Sequence, residues 1–276
     1  VAGIIRQWLE AYSVTLDQLL GIGIGSVGPL DRQLGMILEP AAFPAPGWKH
    51  VPIVQLLKEK LGVPVTLENG ANTAVLAEYI AAGRRPDNML YCINAAGLRC
   101  GVMNNGRLML NQTGDINSFG HMIIDAGGRL CDCGNRGCLN RYISIPAIID
   151  EASRRLNAGA SSLLLRDWHG DPVKISLDSI IQAYLAVDSL AREILLESAA
   201  YFGIGIANMV NLVHPQHVIL GGRLVYDAPG YYEKAVEMAQ KYIYHNLKAK
   251  VSIGQGLLQA NAAVIGAAMM VFHSFF

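Results

Sequence analysis

The chain has 276 residues and a mass of 29.8 kDa, with 22 Lys and Arg balancing 22 Asp and Glu. At zero net charge and a sequence pI near 7.2 it carries no basic footprint, which argues against nucleic-acid binding by this segment. With 52% hydrophobic and 16% charged residues it has ample material for a core of buried strands and helices, in one large domain or two lobes.

In chain order, Ile4, Ile5, Trp8, Leu9 and Tyr12 recur on one apolar helical face. Leu20–Pro29 reads as a buried strand running into a glycine-rich turn, followed by an extended connection over 30–47. Pro52 opens a helix whose inner face carries Val54, Leu57 and Leu61. Val63–Leu67 is a short strand, and Glu68-Asn69-Gly70-Ala71-Asn72 turns it into an alanine-rich helix over about 72–83. In α/β sheets ligands lie beside the carboxyl ends of strands, so this turn is a candidate site, although Asn and Gly also favour a plain turn.

A second lobe is expected from residue 86, dividing the chain into 1–85 and 86–276. Met89–Ile93, Cys100–Met103 and Arg107–Leu110 read as a meander, with Asn104-Asn105-Gly106 as a hairpin turn. Helices are expected over 145–157, 189–213, 229–247 and from 261, with strands at 217–222 and 251–253 and a polar excursion over 158–176. Apolar runs such as 203–213 are interrupted by Gly203, Gly205, Asn208 and Asn211, so no membrane span is expected. The start lacks a signal peptide, and because it opens with Val1 inside a helical pattern the chain is expected to be a fragment.

The densest chemistry lies at His121, Cys131, Cys133 and Cys138, spaced His-x9-Cys-x-Cys-x4-Cys. Four such ligands suit tetrahedral zinc, and a site filled by protein ligands alone is usually structural. Small and turn-prone Asp132, Gly134, Asn135 and Gly137 let the chain fold back between the sulfurs. Disulfides or unrelated buried thiols are the alternative. Cys92 and Cys100 remain, and a reducing cytoplasmic setting is expected.

Several pieces in this order resemble the ROK family of sugar kinases and sugar-responsive transcriptional repressors: Gly23–Pro29, Gly62-Val-Pro-Val, Glu68-Asn69-x-Ala71-Asn72, Gly120-His121 with the cysteines, Val218–Gly222 and Gly266-Ala-Ala268. The resemblance covers essentially the whole chain. It implies an α/β, actin-like ATPase (ribonuclease H-like) fold, with two lobes around a cleft, a structural zinc, an incomplete first lobe and a homodimer. It also implies that Asn69, Ser118, His121 and Asn140 occupy sugar-binding positions, and that Ala96, Gly97, Gly221 and Gly222 occupy nucleotide-binding positions.

The departures from that family pattern point away from catalysis. Family kinases carry an Asp base where this chain has Gly70, which has no side chain to accept a proton. Their Gly-Thr-Gly-Ile-Gly phosphate turn corresponds to Ala95-Ala96-Gly97-Leu98-Arg99, and two sugar-binding Glu positions correspond to Ser118 and Asn140. ATP is therefore not expected as a cofactor. The resulting expectation is a sugar-sensing effector domain that binds a sugar or sugar phosphate, with any DNA contact made by an upstream module. An active hexose or N-acetylhexosamine kinase and a ligand-free interaction module are the alternatives.

Overall fold

In the computed structural model, residues 1–40, 47–95, 97–110, 117–165 and 174–273 are described. The chain forms two compact units, one of residues 1–91, 100–116 and 256–276, the other of residues 92–99 and 117–255. They are not the successive segments 1–85 and 86–276, because the C-terminal stretch packs into the first unit. Strands β5 (Met89–Asn94), β6 (Leu98–Asn104), β7 (Arg107–Leu108), β8 (His217–Gly221) and β9 (Ser252–Gln255) form a sheet in the order β7-β6-β5-β8-β9. Asn105 and Gly106 both have positive φ at the β6–β7 hairpin, as a tight turn of matching twist requires.

In the first unit, β1 (Ile22–Ser26) and β4 (Val65–Asn69) pair in parallel, from Ile22 opposite Val65 to Ser26 opposite Asn69. A short antiparallel pair, β2 (Leu30–Asp31) and β3 (Met36–Ile37), follows β1. Helix α2 (Ile53–Leu61) starts after Pro52 and ends at Gly62 in the left-handed region. It buries Ile53, Leu57 and Leu61 among Leu30, Ile37, Val63 and Leu67, with Val54 packed at the edge of the same cluster. The apolar face of α1 (Ala2–Ala11) is less covered than its pattern implies: no residue of α1 is buried, and Trp8 is 62% exposed.

Helix α3 (Gly70–Ala81) is buried on nearly every side, which its small side chains permit. The final helix, α11 (Ala262–His273), packs on α3 and β1 at backbone distance. A Cβ on Gly23 would collide with the Ala267 carbonyl, and one on Gly266 with the Thr73 carbonyl. The buried Glu78 carboxylate locks the approach to α11 by accepting from the Leu257 and Leu258 amides at 2.8 and 2.9 Å.

In the second unit, the expected helices over 145–157 and 189–213 form with those bounds as α5 and α7. Ser144 and Asp188 cap their N-termini. A helix not expected from the sequence, α6 (Leu177–Leu185), begins directly after the polar excursion over 158–176, at the reciprocal Ser176–Ser179 cap. After the short helix α8 (Arg223–Asp227), the helix expected over 229–247 breaks at Ile243 into Tyr231–Tyr242 (α9) and His245–Lys248 (α10). Among the described residues α7 alone is long and apolar enough to cross a membrane, but 61% of its most apolar 18-residue window is buried inside this fold, as in a core helix. Gly203 meets the Ala235 carbonyl on α9 and Gly205 meets Leu139, so both glycines serve packing within this chain.

Gly266→Ala forces a methyl group into a backbone carbonyl and is expected to destabilise the protein by about 2 kcal/mol or more in urea unfolding. Gly70→Ala is the control. Its added Cβ meets nothing closer than the Ser26 carbonyl at 3.7 Å, so stability should change by less than about 1 kcal/mol.

Candidate sugar turn and metal centre

The Glu68–Asn72 turn sits where β4 hands over to α3. Asn69 is the N-cap of α3, with its Oδ1 accepting from the Ala71 amide at 2.9 Å. The other half of this buried amide is unusual: Asn69 Nδ2 has no hydrogen-bond partner. An unmade bond on a buried donor costs roughly 1–3 kcal/mol, so the group is poised to donate to an incoming acceptor. Glu68 beside it is not free to act as a base. Its oxygens accept from Arg32 at 2.9 Å, from Asn72 Nδ2 at 2.9 Å and from the Asn69 amide at 2.7 Å. Gly70 contributes only backbone.

The phosphate-turn positions lie after β5 in the second unit. Ala96 is outside the described residues, and Gly97 forms a bend leading into β6. Gly221 ends β8, and Gly222 has φ +111° with its Cα pressed against the Asn94 carbonyl, where any side chain would collide. Asn94 is itself buried and donates to the Tyr231 hydroxyl at 2.8 Å, which pairs with Ser198 at 3.1 Å. The glycine at 222 is thus accounted for by packing between two strand ends.

His121, Cys131, Cys133 and Cys138 do converge, with one ligand atom from each lying within 4.8 Å of all the others. His121 Nδ1 is 3.6 Å from Cys131 Sγ, and Cys133 Sγ is 3.6 Å from Cys138 Sγ. Tetrahedral zinc with ordinary bond lengths sets ligand atoms about 3.6–3.8 Å apart, whereas a disulfide needs about 2 Å. None of the five cysteines forms a disulfide, which removes that alternative among them. Burial and the neighbouring thiols push Cys138 up to about 12, while a backbone hydrogen bond at Asn135 lowers Cys133. The donor set fits one zinc ion, which all four side chains would hold.

The cluster loop is tied down by its own glycines and by α5. Gly137, at φ +75°, lies against the Asp125 carbonyl, and Gly128 lies against the Tyr142 hydroxyl. That hydroxyl donates to Asp125 at 3.0 Å and accepts from the Arg129 amide at 3.0 Å. Arg129 stacks over the Tyr142 ring and pairs with buried Glu151 at 3.0 Å. Arg154 and Arg155 bind the same carboxylate, each at 2.6 Å. Asn140 opens the short helix α4 (Asn140–Ile143) directly after the cysteines, and Ser118 lies on the 3-10 turn Asn117–His121.

A family model described as ROK matches residues 2–274. The chain belongs to the ROK family. It is 29% identical over 273 residues to the xylose repressor of Caldicellulosiruptor bescii, covering 97% of this chain and 66% of the repressor. It is 30% identical to the glucokinase of Halalkalibacterium halodurans over 224 residues, covering 80% of this chain and 67% of the enzyme. A ROK hexokinase structure from Thermus thermophilus superposes with a TM-score of 0.79 at 29% identity, covering 99% of this chain and 85% of that one. The chain therefore spans just under two thirds of the repressor's length and has the actin-like fold of ROK sugar kinases. Repressors and kinases both stand among its relatives.

Burial disfavours ionised Glu151, yet hydrogen bonds from Arg154 and Arg155 and the charge of Arg129 outweigh it and hold its pKa below the usual 4.5. A depressed carboxylate stabilises the fold fully above its unfolded pKa, and that contribution is lost as pH falls through the lower folded value. Glu151→Gln should cost about 3 kcal/mol at pH 7 in urea unfolding, with the gap to wild type narrowing below about pH 4. For the metal centre, elemental analysis should find one zinc per chain, lost in Cys138→Ser, and a chelator should lower the thermal midpoint.

Proposed function

We propose that this chain is the sugar-sensing effector portion of a ROK-type transcriptional regulator, acting without phosphoryl transfer. The observation that carries this reading is the Glu68–Gly70 turn. It offers a buried, unpartnered Asn69 donor, while its only carboxylate is committed to Arg32, Asn72 and backbone. Such a turn can bind a hydroxylated ligand and has nothing at position 70 to remove a proton. Phosphoryl transfer needs an oriented nucleophile and a cradle for phosphate, and the Ala95–Arg99 stretch replaces the threonine and two glycines of the family turn. On the second unit, Ser118 and Asn140 stand in sequence where the family pattern has sugar-binding Glu, and His121 is retained. Likeness to a repressor along 97% of the chain supports the regulatory side of the family. In this reading the zinc is structural, the protein is a cytoplasmic homodimer, and DNA recognition belongs to a module outside residues 1–276.

Aldopentoses, aldohexoses and N-acetylhexosamines should be screened by thermal shift, since a ligand of the native state raises its midpoint. At least one sugar should stabilise the protein, with no ADP formed from MgATP in its presence. Asn69→Asp keeps the helix cap and removes the Nδ2 donor, so it should weaken that sugar about tenfold while preserving the fold. Turnover above background would establish the kinase reading instead, and silence across the panel would favour an interaction module without a sugar ligand.

A further inference from the structure

The first unit contains a second concavity, separate from the Asn69 turn, with a volume of about 540 Å³. It lies between α3, α11 and the β6–β7 hairpin. Leu76 and Ile80 of α3, Met103 of β6 and Met270 of α11 provide apolar walls. Its rim is cationic: Arg84 stands just past the C-terminus of α3 and Arg107 begins β7. Neither guanidinium forms an ion pair among the described residues, unlike Arg32, Arg129, Arg154, Arg155 and Arg223. Arg84 occupies left-handed backbone at φ +60°, tied by its amide to the Tyr79 carbonyl at 2.8 Å.

Cavities of roughly 300–1,000 Å³ with apolar walls and a few placed polar groups are the usual form of small-molecule sites. Thr66, Tyr79 and His273 also line it, yet the apolar walls of Leu76, Ile80, Met103 and Met270 would leave most hydroxyls of a sugar without partners. An inorganic anion would leave those walls in water. A hydrocarbon body carrying one carboxylate satisfies both halves, burying its chain against the methionines and leucine while the two arginines meet the carboxylate in charge-assisted bonds. We infer that this cavity is a binding site for a small amphipathic carboxylate, of the class of a medium-chain fatty acid. The site is independent of the sugar reading, since it shares no residue with the Glu68–Asn72 turn.

The test is calorimetric titration of the 276-residue protein with decanoate, 1-decanol and inorganic phosphate. Decanoate should bind saturably at one site, with 1-decanol and phosphate each at least tenfold weaker. Arg84→Ala/Arg107→Ala changes only exposed side chains and should weaken decanoate at least tenfold. Ile80→Trp should fill the cavity and abolish binding, with its thermal midpoint reporting that the fold is intact; the double arginine variant carries the test if it is not. Absence of saturable decanoate binding, equal binding of 1-decanol or phosphate, or unchanged affinity in the double variant would overturn the assignment.

Discussion

The first unit depends on backbone meeting backbone at α11. Gly266 lies on the Thr73 carbonyl of α3 and Gly23 of β1 lies on the Ala267 carbonyl of α11, so three elements close at distances that exclude any side chain. A third close approach, of Gly101 on β6 to the Ala71 carbonyl, fixes the start of α3 from another side. Because α3 begins at the turn that carries Asn69, these contacts decide where the Asn69 amide stands. They also explain why a helix with almost no polar face is stable: it is clamped by its neighbours and capped at its first turn by Asn69 itself.

Much of this was legible in the sequence where the signal was local. The helices over 145–157 and 189–213, the hairpin at Asn104–Gly106 and the converging His and Cys ligands all rest on short-range chemistry, and all formed. Long-range pairings were not legible. The Arg32–Glu68 ion pair joins residues 36 apart, and the Glu78 clamp reaches amides 179 and 180 residues away. The packing of 256–273 into the first unit follows from such contacts, so a boundary drawn along the chain could not reproduce it. The helix at 177–185 carries only a short local signal, the Ser176–Ser179 cap and the apolar Ile180 and Ile181, directly after a polar stretch that ends at 176.

The two candidate sites are stabilised in different ways. The Cys and His cluster is held by a loop whose glycines and Tyr142 hydroxyl leave it one path, and its anchor on α5 is a carboxylate shared by three arginines. Broken on one side, such a buried network strands charge and destabilises strongly. The Asn69 turn, by contrast, retains an unsatisfied donor, which in the proposed reading is the group that meets a ligand. The fold of ROK sugar kinases is kept, and position 70 is a glycine, which has no side chain to accept a proton.

The most direct measurement of that contrast is the side-chain amide resonance of Asn69, followed by nuclear magnetic resonance during titration with sugars and, separately, with MgATP. A sensing role predicts that a stabilising sugar shifts the Asn69 Nδ2 protons while MgATP leaves the resonances of Gly97 and Gly222 unmoved. Saturable movement of Gly97 and Gly222 with MgATP, or an Asn69 amide indifferent to every sugar that binds, would contradict it.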